Sequence, residues 1–356
     1  MAGTSAVGSG LRAELTPPWP FRLPARGGPD SVSRVRAGIF ERFLHVDGRP
    51  ILIRAWERPR ERGVRIAAIP IEAAWLQAGS AAVAARMPRA AARARGGRAE
   101  PTRVRPHGSG PAAGPEQLER AIERARNALG VDDDYGEFYA RFKRDPLLGP
   151  AIRRMPWLRG RRCMWPWESL AWALTEQLIE VQRAHLIQRR IIARWGAAAL
   201  PPDRERPLRD VPSAAVIAAL APAELVALDL APKRALALVK VAKQVASGRI
   251  ELDRPEADRR LLAVSEIGPW TVQMLGRKGR GDPDALPAGD LAYLKVVPRL
   301  LGMDRRATVG EVEEFFAPYA PFRGWAGLFA LAGGKREGAA GKPLRYHPPR
   351  PELEAA

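Results

Sequence analysis

The stretch from Leu261 to Lys295 constrains the fold more than any other, because its turn residues separate three helical segments. It reads LLAVSEIGPWTVQMLGRKGRGDPDALPAGDLAYLK. Pro269 is favoured at the first position of a helix, and Gly268 before it lets a backbone or a ligand approach closely. Asp290 stands directly before a third helix, Leu291 to Leu301. The pattern predicts a helical hairpin, a polar loop and a further helix.

Two features of this stretch carry or attract charge. The first backbone N–H groups of the second helix, on Trp270 and Thr271, are expected to lack intrahelical partners and to form an anion site with the helix dipole. Asp290 follows Trp270 by twenty residues. Each feature alone has an ordinary explanation, since an Asp before a helix is most often an N-cap and a glycine-containing hairpin most often only packs. Their combination favours a functional site that binds phosphate.

The charge balance favours a polyanionic partner. The 356 residues carry a formal net charge of +19, and the pI is about 11.1. Such an excess of cations favours phosphate contacts that release counterions. A basic composition in which arginines accumulate on solvated faces would give the same balance, so charge alone leaves both explanations open.

Residue content excludes several other kinds of site. A single cysteine, Cys163, excludes a disulfide framework and a four-thiolate iron–sulfur cluster. We expect no metal site of side-chain ligands, because the four histidines are scattered and lie near no suitably spaced pair of acids: His45, His107, His185 and His347. The chain has neither a run of eighteen apolar residues nor an apolar N-terminal signal core. We therefore expect a cytoplasmic protein without a membrane partner.

Composition divides the chain into five parts and predicts the α+β class. Asp47-Gly48 between two β-rich runs is a strong signal for a two-residue hairpin turn. From Pro115 onward, apolar residues follow a helical spacing. The predicted parts are a flexible tail at 1–15, a small antiparallel β-rich domain at 16–80, a basic linker rich in Arg, Ala, Gly and Pro at 81–114, a helical domain at 115–332 and a basic, Pro-rich tail at 333–356.

A long helical region is expected from Trp167 to Trp195. Its apolar residues recur at the spacing of a helix face that packs against a core: Leu170, Leu174, Leu178, Val181 and Leu186.

The hairpin and its acid resemble the helix-hairpin-helix DNA glycosylases. Members of that superfamily share an L-x-x-x-x-G-I-G-x-W-T-like hairpin, a loop and a catalytic Asp, and the chain matches them at Leu261, Ile267, Gly268, Trp270, Thr271 and Asp290. The chain departs from the pattern at Glu266, which replaces the first glycine of the hairpin. The resemblance is strongest to bacterial 3-methyladenine DNA glycosylase II. It implies a mainly helical catalytic domain preceded by a small β-rich domain.

The resemblance also implies a role for each matched residue. Asp290 would be the catalytic carboxylate, and the base pocket would contain Trp270, Tyr293 and Trp325. The hairpin would hold the DNA backbone through Gly268, Trp270 and Thr271. Within Glu176-Gln177-Leu178-Ile179, a short turn would interrupt the helical region and present Gln177 and Leu178 as the wedge that fills the gap left by an extruded nucleotide. A monovalent cation at the hairpin is a further implication.

The predicted function is a monofunctional glycosylase that hydrolytically excises alkylated purines from double-stranded DNA in base excision repair, acting as a monomer. Relatives that also cut the strand carry a lysine where Trp270 stands, so the resemblance implies no lyase activity. A cationic alkylated base over an indole gains roughly 0.5–2 kcal/mol. Two alternatives stay open: a DNA-binding lesion sensor with weak or no activity, and a glycosylase for oxidised or mismatched bases.

Overall fold

The computed structural model describes residues 3–7, 10–58, 62–72, 75–76 and 112–337. The chain begins with strands β1 Gly3–Val7, β2 Gly10–Leu15, β3 Ser33–Arg36, β4 Ile39–Val46, β5 Arg49–Arg58 and β6 Gly63–Pro70. These form one antiparallel six-stranded sheet in the order β1-β2-β6-β5-β4-β3. Every neighbouring pair along the chain except β2 and β3 is therefore also a neighbouring pair in the sheet.

The β4–β5 hairpin turns where the sequence predicts. Val46 pairs with Arg49, so Asp47 and Gly48 are the two turn residues. Their φ angles are +50° and +74°. A two-residue turn of this type needs positive φ at both positions, which Asp tolerates and Gly adopts without steric cost. The prediction of this hairpin is confirmed.

The N-terminal strands correct the expectation that residues 1–15 are a flexible tail. Strand β2 pairs with β6 in the register Ala13 to Ile66, and both Ala13 and Leu15 are buried. The period-two signal in Gly10–Leu15 rests on three apolar side chains in a stretch rich in glycine and serine. The pattern is therefore too short to distinguish a strand from a loop.

The helices follow the sheet in chain order. They are α1 Pro115–Leu129, α2 Gly136–Phe142, α3 Leu148–Arg154, α4 Pro166–Glu176, α5 Val181–Trp195, α6 Ala214–Ala218, α7 Pro222–Val226, α8 Pro232–Ala246, α9 Ala257–Leu262, α10 Pro269–Met274, α11 Leu291–Leu301, α12 Val309–Phe316 and α13 Arg323–Glu337. A π-helical segment, Leu275–Arg280, continues α10, and a short ladder between β7 Ala198–Ala199 and β8 Leu208–Arg209 lies between α5 and α6.

A turn at residues 177–180 divides the long helical region into α4 and α5. Leu170 and Leu174, before the turn, are buried as expected. Leu178, Val181 and Leu186 are exposed, which corrects the expectation that they pack against a core. The turn changes the direction of the chain, so apolar residues after it leave the helix face to which their spacing assigned them.

The chain forms two compact units, and the predicted helical domain at 115–332 is shared between them. The first unit contains residues 1–16, 23–126 and 171–267. In its core, the sheet packs against the segment that follows α5, and the buried residues there are Phe43, Leu52, Ile71, Ala197, Ala199 and Leu208.

The second unit contains residues 17–22, 127–170 and 268–356. Its core is rich in aromatic residues, and the buried ones are Tyr135, Phe138, Tyr139, Phe142, Tyr293, Phe315, Phe316, Tyr319, Phe322 and Phe329. Trp19 docks on this unit, since its Nε1 donates a hydrogen bond of 2.8 Å to Asp134 Oδ1 and its ring meets Tyr139 edge to face.

Most of the predicted linker, residues 81–111, and most of the predicted tail, residues 338–356, lie outside the described residues. Helix α13 extends to Glu337, five residues past the predicted end of the helical domain at residue 332, so the tail does not begin at Gly333. Among the helices of the described part, none is long and apolar enough to cross a membrane.

Candidate active site

Asp290 lies at the N-terminus of α11 and leaves part of its carboxylate available. Its backbone is extended, with φ −68° and ψ 133°, and Oδ1 accepts a hydrogen bond of 2.9 Å from the Ala292 N–H. Asp290 is therefore an N-cap, which stabilises the helix. The residue is half-buried, and Oδ2 has no hydrogen-bond partner within the described ranges. The helix dipole also favours a negative charge at this end.

The loop before Asp290 is held by a charged pair and by backbone hydrogen bonds. Arg323 donates to Asp284 Oδ1 from its backbone N–H and from Nε, both at 2.9 Å, and its Nη2 contacts Oδ2. The Trp325 N–H donates to the Pro283 carbonyl at 3.0 Å. Partial burial opposes ionisation of Asp284, but the hydrogen bonds from Arg323 outweigh it and lower the pKa of the carboxyl. The loop is thereby fixed on the start of α13.

A glycine makes this contact between the loop and α13 sterically feasible. A Cβ added at Gly324 would lie 2.6 Å from the Ala285 carbonyl oxygen and 2.8 Å from the Pro283 carbonyl oxygen. Real Cβ atoms do not approach backbone oxygen so closely, so a larger residue would push the loop away from α13.

Trp270 lies beside the residue that precedes Asp290. A Cβ added at Gly289 would be 3.9 Å from the Trp270 Cβ and Cδ1 atoms, so the indole packs against the Gly289 backbone. Trp270 is half-buried, which leaves part of its surface open. An aromatic residue therefore lies next to Gly289, the residue directly before the candidate catalytic acid.

Tyr293 belongs to the core, which corrects its prediction as a pocket residue. Only 1% of Tyr293 is exposed, and its ring meets Phe316 edge to face. A Cβ added at Gly327 would lie 2.8 Å from the tyrosine hydroxyl oxygen, so the backbone of α13 covers the ring. The hydroxyl is buried without a hydrogen-bond partner among the described residues, and burial raises its pKa to about 12.

Trp325 sits in a stack of rings rather than alone. Its ring is parallel to Tyr135 at a centroid distance of 3.9 Å and to Phe322 at 5.5 Å. The Arg159 guanidinium lies 4.1 Å from the centroid of Tyr135. Trp325 is half-buried, so its contribution to a base pocket stays a prediction.

The hairpin turn is open at Gly268 but closed at Thr271. A Cβ added at Gly268 would meet nothing within 4 Å, so the backbone there faces open space. Thr271 is 1% exposed, and its N–H donates to the Gly268 carbonyl at 3.0 Å. The expectation of an outward-pointing N–H on Thr271 is therefore wrong, because the first turn of α10 tightens to an i to i−3 hydrogen bond. Trp270 and Gly268 remain the candidates for a phosphate contact.

Glu266, which stands where the resemblance leads one to expect a glycine, has a left-handed backbone. Its φ is +70°, in the left-handed region where a non-glycine residue is disfavoured by roughly 1–2 kcal/mol. The side chain is exposed. The hairpin turn thus contains a left-handed residue that is not a glycine.

The turn at residues 177–180, the wedge turn, contains a leucine with a strained backbone and an exposed side chain. Leu178 has a φ of +50° and is 97% exposed. Gln177 Nε2 donates a hydrogen bond of 2.8 Å to the Glu266 carbonyl, so Gln177 joins the wedge turn to the hairpin turn within the first unit. Strained, exposed apolar residues are rare in packed structure and concentrate at functional sites.

Sequence reasoning missed the pair of Asp284 and Arg323. The two residues are 39 positions apart, and nothing in their local patterns indicates that they meet. Among the described residues, no group of three or more His, Cys, Asp or Glu side chains could hold a metal ion.

Comparison with known proteins finds a family model that matches one segment of the chain. Residues 171–321 match the sequence model of HhH-GPD superfamily base excision DNA repair proteins. The DNA-3-methyladenine glycosylase of Bacillus subtilis is 23% identical over 225 residues, which are 59% of this chain and 71% of that protein. A Mycobacterium tuberculosis protein, a probable bifunctional transcriptional activator/DNA repair enzyme AlkA, is 28% identical over 214 residues, 59% of this chain and 42% of the mycobacterial protein.

Solved structures share the fold at low identity. The 3-methyladenine DNA-glycosylase from Archaeoglobus fulgidus has a TM-score of 0.67 at 18% identity, covering 89% of this chain and 96% of that chain. An 8-oxoguanine glycosylase/lyase from Clostridium acetobutylicum, in complex with double-stranded DNA, has a TM-score of 0.61 at 12% identity, covering 95% and 98%. These similarities confirm the α+β fold. The wedge turn, the hairpin and Asp290 all lie inside residues 171–321, the segment that matches the model of HhH-GPD superfamily base excision DNA repair proteins.

Proposed function

We propose that the chain is a monofunctional DNA glycosylase that flips out and hydrolytically excises alkylated purines of the 3-methyladenine type from double-stranded DNA. The observation that carries the proposal is the position of Asp290, whose carboxylate caps α11 through Oδ1 and follows directly after Gly289, the neighbour of Trp270. The similarity to a glycosylase that is named for 3-methyladenine supports the substrate class.

The chemistry requires a fixed negative charge near the sugar. Departure of the base leaves an oxocarbenium-like sugar, and a preorganised carboxylate stabilises that charge. The same carboxylate can orient or deprotonate the attacking water. The N-cap hydrogen bond and the braced loop hold Asp290 in place before the substrate arrives, so little reorganisation is needed during the reaction.

Access to the sugar requires that the nucleotide leaves the duplex, which costs a few kcal/mol. Leu178 is the residue that would replace the lost stacking, because an exposed apolar side chain on a turn can enter the gap. The hairpin at Gly268 would hold the backbone. We include a monovalent cation there in the proposal, because the backbone carbonyls of the turn are oxygen ligands of the type that hard cations accept; such an ion would neutralise charge next to a phosphate.

Trp270 supports hydrolysis without strand cleavage. An indole has no amine that could form a Schiff base with the sugar, so the residue that lyases use for this step is missing at this position. An electron-poor alkylated purine over the open part of the indole would gain cation–π attraction.

A panel of lesions tests the proposal. Duplexes carrying 3-methyladenine, 7-methylguanine, 8-oxoguanine or a mismatch are incubated with the protein, and released bases and strand breaks are measured with and without alkali. We expect release of the alkylated purines and strand breaks only after alkali. Salt-sensitive binding with no release would identify a lesion sensor, release of 8-oxoguanine would identify an oxidised-base glycosylase, and breaks without alkali would overturn the monofunctional assignment.

A further inference from the structure

A hydrogen bond links the wedge turn to the hairpin turn. Gln177 Nε2 donates to the Glu266 carbonyl oxygen at 2.8 Å, and both partners belong to the first unit. The hydrogen bond joins two turns that each contain a left-handed residue other than glycine, Leu178 with φ +50° and Glu266 with φ +70°. A movement of the hairpin turn would therefore displace Gln177, the residue directly before Leu178.

A buried polar network also constrains the wedge turn, through the last residues of α4. Gln188 on α5 is 1% exposed, and its Nε2 donates to Thr175 Oγ1 at 2.9 Å and to Glu176 Oε1 at 3.2 Å. Thr175 is fully buried, and its hydroxyl donates to the Trp172 carbonyl at 2.9 Å. The network fixes the last turn of α4, immediately before Gln177.

These hydrogen bonds are needed because Leu178 does little to fix its own position. At 97% exposure its side chain makes almost no packing contacts, and its backbone lies in a disfavoured region. Without external constraints, the turn would relax to conformations that point the side chain elsewhere. Buried amide and hydroxyl groups provide such a constraint, since breaking their hydrogen bonds leaves unsatisfied polar atoms in the interior.

We propose that Gln188 and Gln177 are positioning residues that hold Leu178 ready to enter the duplex, and that the Gln177–Glu266 hydrogen bond couples this wedge to the hairpin. The inference rests on the proposed function and assigns Gln188 a role although its buried side chain cannot touch DNA. Its consequence is specific to duplex substrates, because a single strand has no stack for Leu178 to replace.

The test compares excision from duplex and single-stranded DNA of the same sequence under single-turnover conditions. The variants are Gln188→Met, which keeps the side-chain length and removes the donor, and Gln177→Ala. Gln117→Ala is the matched control, because Gln117 Oε1 accepts a hydrogen bond of 3.0 Å from the Gly114 N–H and lies in neither turn. We expect the ratio of duplex to single-strand rate to fall about tenfold in both test variants and to stay within about twofold of the native ratio in the control.

A double variant asks whether the glutamines act through the leucine. Leu178→Ala should lower the same ratio, and adding Gln177→Ala to Leu178→Ala should lower it no further. An unchanged ratio in Gln188→Met, or fully additive losses in the double variant, would overturn the inference. If Gln188→Met does not fold, as judged by circular dichroism, Gln177→Ala and its double variant decide alone.

A second measurement separates this inference from the proposed function. The fluorescence of 2-aminopurine next to a stable abasic-site analogue reports unstacking without any chemistry. If the native protein releases no base, the proposed glycosylase activity fails, but a fluorescence increase that drops in Gln188→Met and Gln177→Ala would still support the positioning role. Equal fluorescence in all proteins, or no increase with the native protein, would overturn it.

Discussion

The wedge and hairpin turns differ from the loop that leads to Asp290 in how their conformations are maintained. Leu178 and Glu266 have left-handed backbones and exposed side chains, and a hydrogen bond from Gln177 to the Glu266 carbonyl joins their turns. The Asp290 loop is tied to α13 by Asp284, Arg323 and backbone hydrogen bonds, and Asp290 itself occupies a favourable N-cap position. The strained turns suit groups that must meet and deform a duplex, whereas the braced loop suits a carboxylate that must not move.

Among the substitutions that test this comparison, the largest effect is expected from removing the Asp284–Arg323 pair that holds the Asp290 loop. Arg323→Ala removes the side-chain bonds to Asp284, and a displacement of Asp290 by about 1 Å would lower excision about 10²-fold. Single-turnover base release measures the effect. Arg305→Ala is the matched control, since Arg305 also pairs with an acid, Glu311, through its Nη1 and Nη2 atoms. Equal losses in the two variants would show that the Asp284 pair has no special role in positioning.

The next largest effect is expected from a substitution in the wedge turn. Leu178→Ala removes the side chain that would fill the stack, and we expect excision from duplex DNA to fall about tenfold, equivalent to about 1.4 kcal/mol of the cost of unstacking. Leu186→Ala is the control, because Leu186 is an exposed leucine on the following helix. If both variants excise at the native rate, Leu178 is not the wedge.

Tyr293→Phe distinguishes a core residue from a pocket residue. Removing a buried hydroxyl without a partner should raise the free energy of unfolding by about 1 kcal/mol, measured by urea denaturation, and leave excision near the native rate. Because the folded pKa of Tyr293 is about 12 instead of 10, the native protein should also lose stability relative to the variant as the pH rises from 10 towards 12. A large loss of excision would instead show that the Tyr293 hydroxyl contributes to the base pocket.

The smallest effect concerns the replaced glycine of the hairpin. Glu266→Gly removes a charge and the left-handed strain, and Glu266→Gln removes only the charge. We expect both variants to bind duplex DNA about two- to threefold more tightly at low salt. Only the glycine variant should gain stability, by about 0.5 kcal/mol, because part of the relieved strain is offset by the flexibility of glycine in the unfolded chain. Weaker binding by Glu266→Gln would indicate that the carboxylate helps to hold a cation.

Local chemistry explains which parts of the structure could be predicted from the sequence. The β4–β5 turn, the start of α10 and the whole of α11 follow from Asp47-Gly48, Pro269 and the Asp290-to-Gly302 boundaries, which act over a few residues. The spacing of apolar residues does not indicate the helix break after Glu176, because that spacing continues through Leu178. Only the family resemblance predicts the break.

Contacts between distant residues could not be predicted in this way. The pairing of β2 with β6, the Asp284–Arg323 pair and the burial of Tyr293 depend on which elements meet in space. Helical spacing is compatible with both a core and a pocket position for Tyr293, because both face inward from α11. The N–H of Thr271 was misjudged for a related reason, since whether a first helical turn tightens depends on its surroundings.

The most direct measurement is base release by Asp290→Asn from duplex DNA containing 3-methyladenine. Asparagine caps a helix about as well as aspartate, so this substitution removes the charge and keeps the local structure. We predict a melting temperature within about 2 °C of the native value, unchanged DNA binding and at least about 10²-fold slower release. Native release rates from a folded Asp290→Asn protein would contradict the assignment of Asp290 as the catalytic carboxylate.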